Sequence, residues 1–109
     1  MNEIKEIIQQ LIIFRDERDW NQFHNPKDLA MAINVEAGEL LEVFLWKNAE
    51  EANIEKVKEE LADMFAFAFL LANKYGLDVK QIVFEKIKKN GEKYPVDKAK
   101  GLTLKYNQL

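Results

Sequence analysis

The sequence contains no cysteine, and it has only four glycines, two prolines and one histidine. Without cysteine the chain can form neither a disulfide framework nor a thiolate metal site, which fits a reducing cytoplasm. The shortage of glycine and proline leaves little turn material and favours a few long helices. A single histidine also argues against a di-iron bundle, because such bundles need two Glu-x-x-His motifs.

Long apolar runs and an excess of basic charge are missing as well. The longest apolar run, residues 64–72, is too short to cross a bilayer, which takes roughly 20 residues. The formal net charge is −3, whereas binding to a nucleic-acid polymer needs a basic face. The N-terminal residues mix charges and show no signal-peptide pattern. We therefore expect a cytoplasmic protein that has neither a membrane nor a nucleic-acid polymer as a partner.

The apolar residues recur at helical spacing and predict an all-α fold. A chain of 109 residues fits one domain, and we expect a four-helix bundle-like protomer with an irregular C-terminal tail. Asn25 with Pro26 is a helix-start signal, Gly76 is a stop signal, and Asp78 resembles the cap of a further helix. The predicted helices span about residues 3–17, 26–47, 54–75 and 78–90.

The second and third helices carry apolar residues around most of their circumference. A helix that is apolar all round needs neighbours on several sides, and four helices of this length cannot supply them. Large exposed apolar areas are typical of protein interfaces. We therefore expect a homo-oligomer, with a dimer as its minimum unit.

Two acidic pairs lie in the most apolar stretches of these two helices. Glu36-x-x-Glu39 belongs to the second helix and Glu60-x-x-Asp63 to the third. Residues three apart lie on one helical face, and both faces are otherwise apolar. An ionised carboxylate in apolar surroundings is costly unless it is paired, protonated or bound to a metal. If the two helices pack together, the four carboxylates can converge into one all-oxygen site.

An all-oxygen site favours Mg²⁺, with Mn²⁺ as a substitute, over Zn²⁺. The alternative is that the acids are solvated and helped by helix dipoles or nearby lysines. In that case the chain would be a non-catalytic helical interaction protein. A single E-x-x-E is common in a charged helical protein, but two such pairs on apolar faces favour the metal site.

Further motifs accompany the acidic pairs in order along the chain. Arg18-Asp-Trp-Asn-Gln-Phe-His24 precedes the first pair and Phe44-Leu-Trp-Lys47 follows it. Near the end, Lys86, Asn90 and Lys93-Tyr-Pro match a K-x-x-x-N-x-x-K/R-Y-P pattern. Together with the acidic pairs, these motifs resemble the all-α nucleoside triphosphate pyrophosphohydrolases of the MazG-like superfamily, and within it the dCTP pyrophosphatase branch. The resemblance covers nearly the whole chain.

The resemblance implies Mg²⁺-dependent cleavage of a nucleoside triphosphate between the α and β phosphates, which releases the monophosphate and pyrophosphate. The implied substrate is dCTP-like or a modified dNTP, and the implied role is nucleotide-pool control or house-cleaning by a dimer or a dimer of dimers. Glu36, Glu39, Glu60 and Asp63 would bind the metal. The implied substrate-binding residues are Trp20, His24, Trp46, Lys47, Phe67, Lys86, Asn90 and Lys93.

The chemistry of a triphosphate fits this set of residues. A triphosphate is strongly negative and would be repelled by four carboxylates unless divalent ions lay between them. Bound metal lowers the pKa of a water, and a carboxylate then accepts its proton; Glu39 and Glu42 are both candidates. Lys86, Asn90 and Lys93 share one helical face and could neutralise charge on the departing pyrophosphate.

The preferred base is less well defined by the sequence. Trp20 and Trp46 flank the first acidic pair, and an aromatic face stacks on a base with roughly 1–3 kcal/mol; core packing is the alternative for both. His24 is either a structural loop residue or a substrate contact. Leu11 and Phe67 occupy positions at which dCTP-specific relatives would carry polar side chains. The sequence therefore leaves open the base and the choice between ribose and deoxyribose.

Overall fold

The structure, a computed structural model, describes residues 2–109, and all regular elements among them are helical. Four long helices are followed by one short helix, and the described range contains no strand. The all-α prediction is therefore confirmed. The helices are α1 (Glu3–Glu17), α2 (Pro26–Glu42), α3 (Ile54–Lys74), α4 (Val79–Lys93) and α5 (Val96–Ala99).

Short polar side chains start all four long helices. Asn2, Asn25, Asn53 and Asp78 occupy the N-cap positions, and the side chain of each accepts a hydrogen bond from a backbone N–H of the first turn. Such a bond satisfies one of the N–H groups that a helix leaves unpaired at its start. Pro26 occupies the first turn of α2, where a missing N–H does no harm. These are the starts that the sequence predicts for α2 and α4.

α2 is shorter than the sequence predicts, because it ends at Glu42 rather than near Lys47. The backbone N–H of Val43 bonds three residues back, to the carbonyl of Leu40 at 3.2 Å. Such bonds tighten the last turn and close the helix. Trp46 then adopts a left-handed backbone conformation with φ 62°, in which a right-handed helix cannot continue.

α4 is longer than predicted, because it continues through Gly91 to Lys93. A glycine inside a helix costs about 1 kcal/mol relative to alanine, which a helix tolerates. The helix ends at Tyr94, whose helical conformation is disfavoured by the following Pro95. The tail, predicted to be irregular, contains α5 and a short 3₁₀ turn at Tyr106–Gln108.

The contacts divide the chain into two compact units, one ending at Leu77 and the other spanning Asp78–Leu109. In the first unit α3 is central, since α2 and α1 both pack against it. The buried apolar residues are few, namely Leu29, Leu70 and Ala72. The second unit contains α4, α5 and the tail.

Much apolar surface of the first unit stays exposed, although the sequence predicts that α2 is buried on several sides. The exposed fractions on α2 are 56% for Met31 and Val35 and 62% for Leu41. Large exposed apolar areas mark interaction surfaces. None of the described helices is long and apolar enough to span a membrane.

Candidate active site

Three of the four predicted metal ligands come together where α2 packs against α3. A carboxylate oxygen from each of Glu36, Glu60 and Asp63 lies within 4.8 Å of the other two. We call these three residues the carboxylate cluster. Glu36 and Glu60 are half-buried and Asp63 is exposed, so the cluster is open to solvent on the Asp63 side.

Two buried oxygens of the cluster lack a hydrogen-bond donor. They are the Oε2 atoms of Glu36 and Glu60, and no described residue donates to either. Buried polar atoms in folded proteins are almost always paired, so an unpaired one calls for an explanation. A bound divalent cation would supply the missing partner, and an all-oxygen donor set is the one that Mg²⁺ and Mn²⁺ prefer. The residues therefore fit such an ion.

The electrostatics of the cluster agree with this fit. Burial, followed by the neighbouring carboxyl groups of Glu39, Glu60 and Asp63, raises the pKa of Glu36 to about 7. The pKa of Glu60 is raised as well, first by burial and then by Glu39 and Asp63. Carboxylates that share a site cannot all ionise cheaply, so they favour either a proton or a cation between them.

Glu39, the fourth predicted ligand, lies beside the cluster but outside its three converging oxygens. It is exposed, and its charge contributes to the raised pKa values of both Glu36 and Glu60. Glu39 also lines a cavity of about 410 Å³, together with Glu42 and Glu60. Both candidate proton acceptors, Glu39 and Glu42, thus face the same space as one member of the cluster.

The same cavity is also lined by basic and amide side chains, of which the sequence predicted only one. Lys47 lines it, as expected for a substrate contact, and so do Lys56 and Asn53. Lys56 precedes Glu60 by four residues on α3, a spacing that places two side chains on one helical face. That spacing was the signal that could have found Lys56. Asn53 caps α3 by accepting hydrogen bonds from the backbone N–H groups of the first turn.

His24 and Phe67, both predicted substrate contacts, lie against each other. Their ring centroids are 6.4 Å apart in an edge-to-face arrangement. Phe67 follows Asp63 by one turn of α3, so this pair adjoins the carboxylate cluster. The Nδ1 atom of His24 is buried and has no partner among the described residues. Burial and the nearby charges of Arg15 and Lys74 lower the pKa of His24, which favours the neutral imidazole.

The two tryptophans are placed differently. Trp20, in the turn after α1, packs edge-on against Phe14 with 5.9 Å between ring centroids. Trp46 is 99% exposed, so its indole has no packing role within the chain. Core packing, the alternative for both residues, is therefore excluded for Trp46.

The remaining predicted contacts lie in the second unit. Lys86, Asn90 and Lys93 are exposed residues of α4, at the predicted helical spacing. The Nζ atom of Lys93 lies 5.0 Å from the centre of the Tyr106 ring, a cation–π contact within this unit. Their role as phosphate contacts stays a prediction.

Together these features describe an all-α protein with an acidic candidate metal centre between two packed helices. Residues 31–109 match the model of the MazG-like family. The chain belongs to the MazG-like family, and the resemblance predicted from the sequence is confirmed.

Individual relatives are similar over most of this chain. It is 36% identical over 104 residues to dCTP pyrophosphatase 1 of Mus musculus, covering 88% of this chain and 61% of that protein. With the Bos taurus protein of the same name it shares 38% identity over 104 residues, which are 88% of this chain and 62% of the relative. The chain therefore spans about three fifths of the length of these curated relatives.

A solved structure has the same fold. It is the crystal structure of a pyrophosphatase from Archaeoglobus fulgidus DSM 4304, with a TM-score of 0.81 and 33% sequence identity. The match covers 87% of this chain and 94% of the archaeal chain. The helical arrangement is thus shared across nearly the full length of that protein.

Proposed function

We propose that this chain is a Mg²⁺-dependent nucleoside triphosphate pyrophosphohydrolase, which hydrolyses the bond between the α and β phosphates and releases a monophosphate and pyrophosphate. The observation that carries this proposal is the carboxylate cluster with its two unpaired buried oxygens, beside a cavity that two lysines help to line. Like-charged buried oxygens next to a cavity that lysines help to line suit a metal-bound polyphosphate better than either a metal or a polyphosphate alone.

Glu36, Glu60 and Asp63 would hold the metal, and Glu39 is close enough to join them when the ion is bound. Bound Mg²⁺ would screen the triphosphate from the carboxylates and lower the pKa of a water. Mn²⁺ has the same preference for oxygen ligands and would substitute.

Glu39 or Glu42 would accept the proton of the attacking water. Both line the cavity with Glu60, and a carboxylate acts as a general base when it is within hydrogen-bond reach of the proton. The proton leaves the water as the water oxygen bonds to the α phosphorus. The bond from that phosphorus to the oxygen bridging the α and β phosphates breaks, and pyrophosphate leaves with this oxygen.

Lys47 and Lys56, which line the same cavity, would bind the phosphates. A lysine ammonium is a compact charge that offsets negative charge developing on the pyrophosphate leaving group. Lys86, Asn90 and Lys93 are also proposed as phosphate contacts.

The base would be contacted by Trp20, His24, Trp46 and Phe67. The fully exposed indole of Trp46 offers a free face for stacking. The relatives named dCTP pyrophosphatase 1 favour dCTP or a modified cytidine-like dNTP. The activity would serve house-cleaning or nucleotide-pool control in the cytoplasm.

We also propose that the enzyme is a homo-oligomer, a dimer or a dimer of dimers. The exposed apolar side chains of α2 support this, because a single chain leaves Met31, Val35 and Leu41 more than half exposed. A second copy of the chain would cover such a surface. A monomer in gel filtration at micromolar concentration would contradict the oligomer.

Pyrophosphate release from a panel of standard and modified nucleoside triphosphates tests the catalytic proposal. Release is expected with Mg²⁺ or Mn²⁺ and is expected to stop when EDTA removes the metal. A folded protein that releases no pyrophosphate from any nucleotide would instead be the non-catalytic helical interaction protein.

A further inference from the structure

The turn after α1 aims Trp20 back at its own helix. Asp19 has a left-handed backbone with φ 55°, and its N–H bonds to the carbonyl of Asp16 at 3.1 Å. The N–H of Trp20 bonds to the carbonyl of Arg15, also at 3.1 Å. These two bonds define a Schellman motif, in which the residue at the position of Trp20 commonly contacts the last turn of the helix.

Three flat groups meet at that turn. The Trp20 ring meets the Phe14 ring edge-on, at 71°. The Cζ atom of Arg18 lies 3.7 Å from the centre of the Phe14 ring and 6.0 Å from that of Trp20. We call Phe14, Arg18 and Trp20 the Trp20 cluster.

Arg18 is itself fixed in this cluster. Its Nη1 atom donates a hydrogen bond of 2.9 Å to the carbonyl of Phe14, which anchors the guanidinium over the ring. A planar guanidinium stacks on an aromatic face in a way that a lysine ammonium does not. Trp20 nevertheless remains 44% exposed, so part of its indole is held in place while part is free for a ligand.

We propose that Arg18 is a positioning residue, which holds the Trp20 indole in one orientation so that its exposed part meets the base of the substrate. The proposal rests on the proposed function, in which Trp20 contacts the base. Arg18 itself does not touch the substrate. An aromatic side chain that is already immobilised loses less conformational entropy when a ligand binds, so the benefit appears in substrate binding rather than in the chemical step.

The orientation of Trp20 can be followed without catalysis. The sequence contains two tryptophans, so Trp46→Phe leaves Trp20 as the single fluorophore. In that background we expect Arg18→Met to lower the fluorescence anisotropy of Trp20 and to increase its quenching by acrylamide. Arg18→Lys keeps the charge but loses the planar stacking, and it should show most of the same change.

Steady-state kinetics in a chain that keeps Trp46 test whether the orientation of Trp20 affects binding of the base. Arg18→Met is expected to raise KM by about two- to fivefold with kcat unchanged, the size of one cation–π contact. The matched control is Lys58→Met, which removes an equal charge from an exposed residue paired with Glu55. In a Trp20→Ala background the effect of Arg18→Met on KM should vanish, because the group that Arg18 positions is gone.

The outcomes distinguish a failure of the positioning role of Arg18 from a failure of the proposed pyrophosphohydrolase function. A wild-type protein that releases no pyrophosphate refutes the proposed function and the role of Arg18 with it. In an active enzyme, unchanged anisotropy of Trp20 in Arg18→Met and Arg18→Lys refutes the role of Arg18 alone. So does a KM increase that persists in the Trp20→Ala background, because Arg18 would then act by another route.

Discussion

The first unit contains two polar regions that differ in how their groups are paired: the carboxylate cluster and the start of the turn between α1 and α2, at Asp19 and Gln22. In the turn, the Nε2 atom of Gln22 donates to both the carbonyl and the carboxylate of Asp19, each at 3.0 Å. In the carboxylate cluster, the buried oxygens of Glu36 and Glu60 find no described donor. A region whose groups bond one another stabilises the fold, whereas like charges without partners destabilise it until a ligand binds.

This difference predicts that changes in the carboxylate cluster affect activity far more than changes at Asp19 and Gln22. Glu60→Gln keeps the size of the side chain but removes one negative charge from the cluster. We expect pyrophosphate release to fall by about 100-fold or more, as for the loss of one preorganised electrostatic contact. Steady-state kinetics with Mg²⁺ and the preferred nucleotide measure this effect.

A neighbouring residue supplies the control for this variant. Glu59 precedes Glu60 on α3 and is exposed, and residues one apart do not share a helical face. Glu59→Gln therefore makes the same chemical change outside the cluster and should leave activity within about twofold. Equal losses in Glu59→Gln and Glu60→Gln would show that the overall charge of α3 matters, not the cluster. Circular dichroism should show both variants folded.

The raised pKa of Glu36 predicts how the stability of the metal-free protein depends on pH. Because its pKa is about 7 in the folded chain, against an ordinary value of 4.5 for glutamate, the folded state binds more protons between these values. Folding stability should therefore fall as pH rises from about 4.5 to about 7. The raised pKa of Glu60 acts in the same direction.

Glu36→Gln removes one of these titrations and should flatten the pH dependence. Urea unfolding with EDTA at a series of pH values measures how the free energy of unfolding depends on pH. In Glu36→Gln the titration of Glu60 should still lower this free energy as pH rises, but with a smaller slope. The variant is also expected to be more stable than the wild type above pH 7, because an uncompensated charge is gone. A metal-free protein whose stability rises from pH 5 to 7 would contradict this account.

The sequence predicted the features that depend on local spacing. Asn25 and Asp78 were identifiable as caps because a cap acts on the turn that follows it. The approach of Glu36 to Glu60 followed from two polar positions on otherwise apolar helical faces. In contrast, the end of α2 at Glu42 could not be predicted, because neither glycine nor proline marks it. The left-handed conformation of Asp19 could not be predicted either, because glycine is the residue that usually signals such a conformation and position 19 is an aspartate.

The sequence analysis did not select Lys56, although its spacing of four residues from Glu60 on α3 could have identified it. Its position in the lining of the cavity revealed it. Removing its charge with Lys56→Met should raise KM by about fivefold, the effect of roughly 1 kcal/mol from one partly screened charge. Lys58→Met, two residues further along α3 and outside the cavity lining, is the control. The difference between the two variants should shrink at high salt, and its absence at low salt would remove Lys56 from the phosphate site.

The smallest effects, on the free energy of unfolding, are expected at Asp19 in the turn after α1. The end of α3 has the same backbone conformation and serves as a comparison. α1 and α3 both end in a Schellman motif, with Asp19 at φ 55° in one and Gly76 at φ 65° in the other. Nothing lies within 4 Å of a Cβ placed at Gly76, so Gly76→Ala should cost only the left-handed penalty of about 1 kcal/mol. Asp19→Gly should change the free energy of unfolding by less than about 1 kcal/mol, because relief of that penalty offsets the lost bond to Gln22.

Urea unfolding of both variants decides what holds the turn. If Asp19→Gly destabilises the chain more than Gly76→Ala does, the side-chain bonds of Asp19 carry the turn and the backbone motif is secondary. If Asp19→Gly destabilises the chain less than Gly76→Ala does, as expected, the backbone motif alone places Trp20 near α1. In that case the side chains of Asp19 and Gln22 can vary with little effect on stability, whereas a change in the carboxylate cluster lowers activity.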